Sequence, residues 1–167
     1  MDTKIKVKIL SKSTIFFLKT MNIQIRQAIK EDLPAILSLY AKVLDKGEVL
    51  TIEQAEALFQ KMMSYPNYKV YVATNEEDII GTFALLIMDN LAHIGTPSAV
   101  VEDVVVSDVF QGKGIGKKMM VFAMEKCTEA GCYKLVLSSN LKRHEAHAFY
   151  ESLTFEKHGF SFRVNFE

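Results

Sequence analysis

Gly112, Gly114 and Gly116 lie between a strand-type run, residues 101–106 (Val-Glu-Asp-Val-Val-Val), and a helix-type run that opens with Lys117 and Lys118. A turn lacking side chains lets backbone N–H groups approach a ligand. The first turn of the following helix adds unpaired N–H groups and the positive end of its dipole, so the arrangement favours an anion, above all a pyrophosphate. A tight strand-to-helix turn with no ligand is the competing reading. The spacing narrows the guest: Gly116 is followed by lysines, so the hydroxyl that holds magnesium in a nucleotide P-loop is missing. The third position of a G-x-G-x-x-G dinucleotide fingerprint falls on Lys117 rather than on a glycine, which disfavours hydride chemistry.

A second pattern follows downstream. Residues 134–140 (Lys-Leu-Val-Leu-Ser-Ser-Asn) read as a strand ending in hydrogen-bonding side chains, and residues 143–153 as a helix with Ala146, Phe149, Tyr150 and Leu153 on one face. The turn formed by Gln111, Gly112, Lys113, Gly114, Ile115 and Gly116 closely resembles the (Gln/Arg)-x-x-Gly-x-(Gly/Ala) signature of the GNAT superfamily of N-acetyltransferases. The strand and Phe-Tyr helix resemble the second half of that family's core. One departure is visible: the segment continues Leu153, Thr154, Phe155, with threonine where the family usually has a glycine that caps the helix. A β-branched residue tolerates positive φ poorly, so some loss of stability is expected there.

The resemblance implies a single-domain α/β (α+β) fold over residues 21–167. Its central, mixed, mainly antiparallel twisted sheet is flanked by helices in the order β-α-α-β-β-β-α-β-α-β-β. It also implies acetyl-CoA as acetyl donor, no metal, and transfer to a primary amine of a small molecule by direct attack. A protein or peptide amine, and a non-catalytic acyl-CoA sensor, are the alternatives. Family members are often homodimers. Backbone groups along Val104, Val105 and Val106 are expected to pair with the pantetheine arm. Gln111, Gly112, Lys113, Gly114, Ile115 and Gly116 are expected to hold the pyrophosphate, with Lys117 adding charge. Asn140 is a candidate for the pantetheine amides and Ser138 for substrate contact. Arg143 either reaches a coenzyme phosphate or is a solvated helix-end charge. His93, in the loop before the cofactor strand, either contacts the acceptor or is a surface histidine.

Acyl transfer from a thioester to an amine needs a free amine and a proton for the departing thiolate. An alkyl ammonium with pKa near ~10 lies about three units from neutrality, so deprotonation costs roughly 4 kcal/mol before attack begins. A carboxylate near the acceptor lowers that barrier. Glu102 and Asp103 are the candidates, with Glu102 favoured. Adjacent strand residues point to opposite faces, so without a bulge only one of them can serve. In the family the tyrosine of the Phe-Tyr pair commonly lies near the coenzyme sulfur, which makes Tyr150 the candidate acid.

The chain of 167 residues balances 20 basic against 20 acidic residues, so no net field draws it to nucleic acid or anionic membrane. Cys127 and Cys132 stand without further cysteines to complete a zinc set, and read as reduced cytoplasmic thiols. His144 and His147 sit three apart on one helix without the companions a zinc site needs. Residues 1–20 combine five lysines with a short apolar run and read as an N-terminal extension rather than a signal peptide. The elements that must position the chemistry start with a strand beginning over residues 21–26. Asp32 is expected to cap a first helix and Thr51 a second, and a hairpin is expected over 68–74 and 79–88. Strand 99–106, helix 114–130, strand 133–139 and helix 143–153 should follow, with a closing strand pair around 154–158 and 160–166.

Overall fold

The computed structural model describes residues 21–166; the expected extension over 1–20 lies outside the described residues. The elements run β1 (Ile23–Gln27), α1 (Leu33–Val43), α2 (Ile52–Met63), β2 (Tyr68–Asn75), β3 (Asp78–Met88), β4 (Ser98–Val106), α3 (Ile115–Glu129), β5 (Leu135–Val136) and α4 (His144–Ser152). The five strands form one sheet in sequence order. Pairs β1–β2, β2–β3 and β3–β4 are antiparallel, and β4–β5 is parallel. The change of sense is dictated by the connection, because a tight turn returns the chain antiparallel whereas a crossover helix, here α3, brings it back parallel.

The sheet is covered on both faces. Val72 packs with Ala28, Ile36, Val70 and Ala84 beneath α1 and α2, while its neighbour Ala73 packs with Ile80, Phe83, Val101 and the α3 residues Ile115, Met119, Met120 and Ala123. Consecutive strand residues thus serve opposite cores, as a period of two requires. No helix among the described residues is long and apolar enough to cross a membrane.

Local signals read from sequence fare unevenly. Thr51 caps α2 as expected: its Oγ1 accepts from the Gln54 N–H at 3.3 Å, and the Gln54 side chain accepts from the Thr51 N–H at 3.0 Å. Asp32 does not cap α1. Its carboxylate accepts from the Ile29 N–H at 2.8 Å and from both terminal nitrogens of Arg26 at 2.6 and 2.8 Å, fastening the end of β1 to the turn before the helix.

The strand expected over 133–139 shortens to Leu135–Val136, because its only ladder partners are Ala99 and Val100. The closing pair expected at 154–158 and 160–166 does not form a sheet. Phe160, Phe162, Val164 and Phe166 keep the alternation of a strand but remain largely exposed and form no ladder among the described residues.

Candidate active site

The site begins where β4 and β5 part. After Val100 the parallel ladder stops, while β4 continues against β3 as far as Val106. Within that stretch Ala84 pairs with Glu102 and Thr82 with Val105, so Phe83 alone faces both Asp103 and Val104. This two-against-one bulge turns Asp103 to φ 52°. The expectation that Glu102 and Asp103 point to opposite faces fails here for that reason. Both carboxylates line one cavity of about 140 Å³, together with Val104, Ser138, Ser139, Arg143, Tyr150 and, from the end of α1, Leu44.

Strand alternation also decides which backbone groups are open. The Ser107 N–H donates to the Ile80 carbonyl at 2.8 Å, so Val105, two residues earlier, turns its peptide groups to β3 as well, and its side chain is buried. Val106 turns its carbonyl the other way, off β3, where the Gln111 side chain meets it. The Gln111 side chain closes part of that edge: its Nε2 donates to the Val106 carbonyl and to Asp108 Oδ1, each at 3.1 Å. Gln111 therefore braces the strand against the turn that follows it.

The glycines of that turn do different work. Gly112 and Gly114 have φ of 70° and 80°, and a side chain at either would meet nothing within 4 Å, so their surroundings are open and only the backbone conformation demands glycine. Gly116 has ordinary helical geometry, but a Cβ there would lie 3.1 Å from Phe149 Cζ. It is small so that α4 can pack against the start of α3. Ile115 is a core residue. The first i→i−4 bond of α3 runs from the Lys118 N–H to the Gly114 carbonyl, which leaves the amides before it without helical partners. Beside them Lys113, Lys117 and Lys118 line a hollow of about 540 Å³ with Ile23 and Phe122, and Lys113 Nζ stands 5.0 Å from the Phe110 ring centre.

Electrostatics single out the cavity. Burial, and then the neighbouring Asp103 charge, raise the pKa of Glu102. Burial, and then Asp45, raise that of Asp103. Both groups are reached by solvent yet sit in a concavity, so their carboxylates are less well hydrated than on an open surface. Tyr150 is held between Phe149 and Phe155, with ring centres 5.1 and 5.6 Å away. Its pKa is raised by burial, with Arg143 lowering it and Glu102 adding to it. Ser139 Oγ is shielded from solvent and has no hydrogen-bond partner among the described residues, a polar atom left for a ligand to satisfy.

Ser138 lines the cavity as well, its Oγ 3.2 Å from Ser161 Oγ. Asn140 does not line it; its Oδ1 accepts from the Lys142 N–H and its carbonyl meets His147 Nε2. His93 is not brought there either. It sits in a turn at φ 51°, its ring 4.4 Å from that of Tyr133, next to the opposite end of β4. Sequence reasoning missed Ser139 and Leu44. The second serine of the Ser-Ser pair was the one available signal.

Comparison with known proteins identifies the family and the fold. The model of the acetyltransferase (GNAT) family matches residues 29–155. A glucosamine 6-phosphate N-acetyltransferase of Arabidopsis thaliana is 31% identical over 118 residues, spanning 69% of this chain and 76% of that protein. An aminoalkylphosphonate N-acetyltransferase of Salmonella typhimurium is 28% identical over 127 residues, 76% of this chain and 80% of the other. The crystal structure of glucosamine-6-phosphate N-acetyltransferase from Arabidopsis thaliana superposes with a TM-score of 0.78 at 27% identity, covering 87% of this chain and 99% of that one. The chain therefore belongs to the acetyltransferase (GNAT) family as an N-acetyltransferase.

Proposed function

We propose that this N-acetyltransferase uses acetyl-CoA as donor and acetylates a primary amine of a small molecule by direct attack on the thioester. The reading is carried by one observation: a single cavity at the parting of β4 and β5 joins Glu102, Asp103 and Tyr150 to an open strand edge leading toward the glycine turn. The coenzyme supplies the activated acetyl group. The peptide groups of Val104 and the N–H of Val106 hold its pantetheine arm as an added strand would. Ser139 Oγ satisfies its own hydrogen-bonding need there. Lys113, Lys117 and the free amides at the start of α3 hold the pyrophosphate, and Arg143 screens negative charge at the cavity.

Glu102 takes the proton from the acceptor ammonium, with Asp103 beside it. Its raised pKa makes it a better base than an ordinary surface carboxylate, and it works in the ionised form, so activity falls as pH drops through that raised value. Tyr150 is protonated at neutral pH, as any phenol with a pKa of ~10 is, and burial raises its pKa further, which keeps a proton available for the departing thiolate. An acyl-enzyme route lacks a nucleophile among the described cysteines: burial pushes the Cys127 thiol up to about 12 and raises Cys132 as well.

Free thiol released from acetyl-CoA is measured with and without a panel of amines, alongside calorimetric binding of the coenzyme. Amine-dependent release is expected. Tight binding with no turnover on any amine would make the protein a coenzyme sensor instead, and release that appears only with peptide amines would move the acceptor to protein.

A further inference from the structure

The C-terminal segment leaves four large apolar side chains in solvent. Phe160, Phe162, Val164 and Phe166 are 90, 91, 71 and 89% exposed. They alternate with Ser161, Arg163 and Asn165, so an extended backbone puts all four on one face. At about 150–250 Å² for each aromatic ring, the four side chains offer on the order of 600 Å² of apolar surface. That is the upper end of what a monomer leaves in one patch.

The sheet order ends at β5, whose outer edge carries no strand among the described residues. Leu135 and Leu137 are half-buried against the α3 side of the core, and Leu137, Ser138 and Ser139 form one wall of the cavity. Ser161 Oγ lies 3.2 Å from Ser138 Oγ, so the segment passes the end of β5. The five residues that follow, which form no ladder with it, reach about 17 Å when extended, several strand spacings.

One molecule therefore holds both halves of a strand pair, an alternating segment and an open edge, without joining them. Two copies related by a two-fold axis satisfy both at once, each giving its segment and receiving the other's. An unrelated partner would satisfy one half and leave the other bare. With 20 basic and 20 acidic residues in each chain, two copies meet without net repulsion. Two such segments and the edges they cover bury on the order of 2,000 Å², more than the roughly 1,600 Å² of a standard stable interface.

We infer that the protein is a two-fold dimer in which residues 160–166 of each copy pair with the outer edge of β5 in the other, laying Phe160, Phe162, Val164 and Phe166 beside Leu135 and Leu137. The exchanged strand backs the β5 wall of the cavity, so each site is finished by the second copy.

Light scattering on the full chain at micromolar concentration should give twice the 18.9 kDa of one chain, and Tm should rise with protein concentration, as for any fold stabilised by association. Hydrogen exchange at residues 135–138 and 160–166 should be slowed at least about tenfold in the dimer, and that protection should be lost on dilution. Phe162→Ser combined with Val164→Ser, both at exposed positions, should give the mass of one chain with an unchanged far-UV spectrum. A monomeric full chain, including one whose residues 160–166 are protected by its own β5, would overturn the inference. So would a dimer that survives the double substitution, or one without protection at these two segments. None of these readouts uses substrate, so they stand or fall apart from the acetyl-transfer reading.

Discussion

Gly114→Ala separates the cost of backbone strain from the loss of an anion cradle. At φ 80° an L-residue is strained by about 1–2 kcal/mol, offset in part by the lower entropy of the unfolded alanine chain. No atom lies within 4 Å of the added Cβ, so no clash adds to this. A net loss of about 1 kcal/mol would lower Tm by about 2–4 °C. The strain is relieved by rotating the peptide that presents the first free amides of α3, and one charge-assisted hydrogen bond lost to a pyrophosphate is worth about 1.5–3 kcal/mol, a loss of roughly ten- to a hundredfold in acetyl-CoA affinity. Gly131 is the matched control. It follows the other end of the same helix at φ 70°, also with nothing within 4 Å. Thermal unfolding and calorimetry of Gly114→Ala and Gly131→Ala should show similar losses of Tm but a loss of coenzyme affinity only in the first. Equal affinity in both variants would refute the assignment of the turn.

Thr154 adopts φ 69° after α4, and the Phe155 N–H bonds back to the Tyr150 carbonyl at 3.1 Å; Thr154→Gly should stabilise the protein by about 1 kcal/mol, visible as a rise in Tm of about 2–4 °C. Tyr150→Phe keeps the ring contacts and removes the hydroxyl, so turnover should fall by about 10²-fold or somewhat less with little change in Tm or coenzyme affinity; wild-type turnover would make Tyr150 structural. Asp32→Asn should cost about 2 kcal/mol at neutral pH, from weakened charge-assisted bonds to Arg26 and Ile29. Chiefly the Arg26 hydrogen bond holds the Asp32 carboxyl below its usual range, so its stabilisation is complete above the unfolded value near ~3.9 and is lost as pH falls through the lower folded value. Urea unfolding of both proteins should therefore converge only in that acid window, and a difference that vanished already at pH 6 would contradict the pairing.

What was legible in sequence was local. The glycine turn, the Thr51 cap and the strained Thr154 each depend on residues a few positions apart, so residue type alone reveals them. The bulge at Asp103 is a register event between two strands, decided by how Phe83 faces β4, and no signal within residues 101–106 announces it. Leu44 reaches the cavity only because α1 packs across the sheet, which brings together residues some sixty positions apart. Residues 160–166 show the converse. Their alternation is readable, but alternation does not specify a partner or a register, and no ladder forms there among the described residues.

Direct attack is the claim on which the rest depends, and intact-protein mass spectrometry tests it most simply. The protein is mixed with acetyl-CoA alone and then with a competent amine, and the acetyl group is followed on protein and amine together with free thiol. The structure, with Cys127 held protonated by burial, predicts that no acetylated protein forms in the first stage and that acetylamine and thiol then appear in equal amounts. An acetylated protein that forms without amine, and loses its acetyl group at the rate at which the amine gains it, would contradict the account.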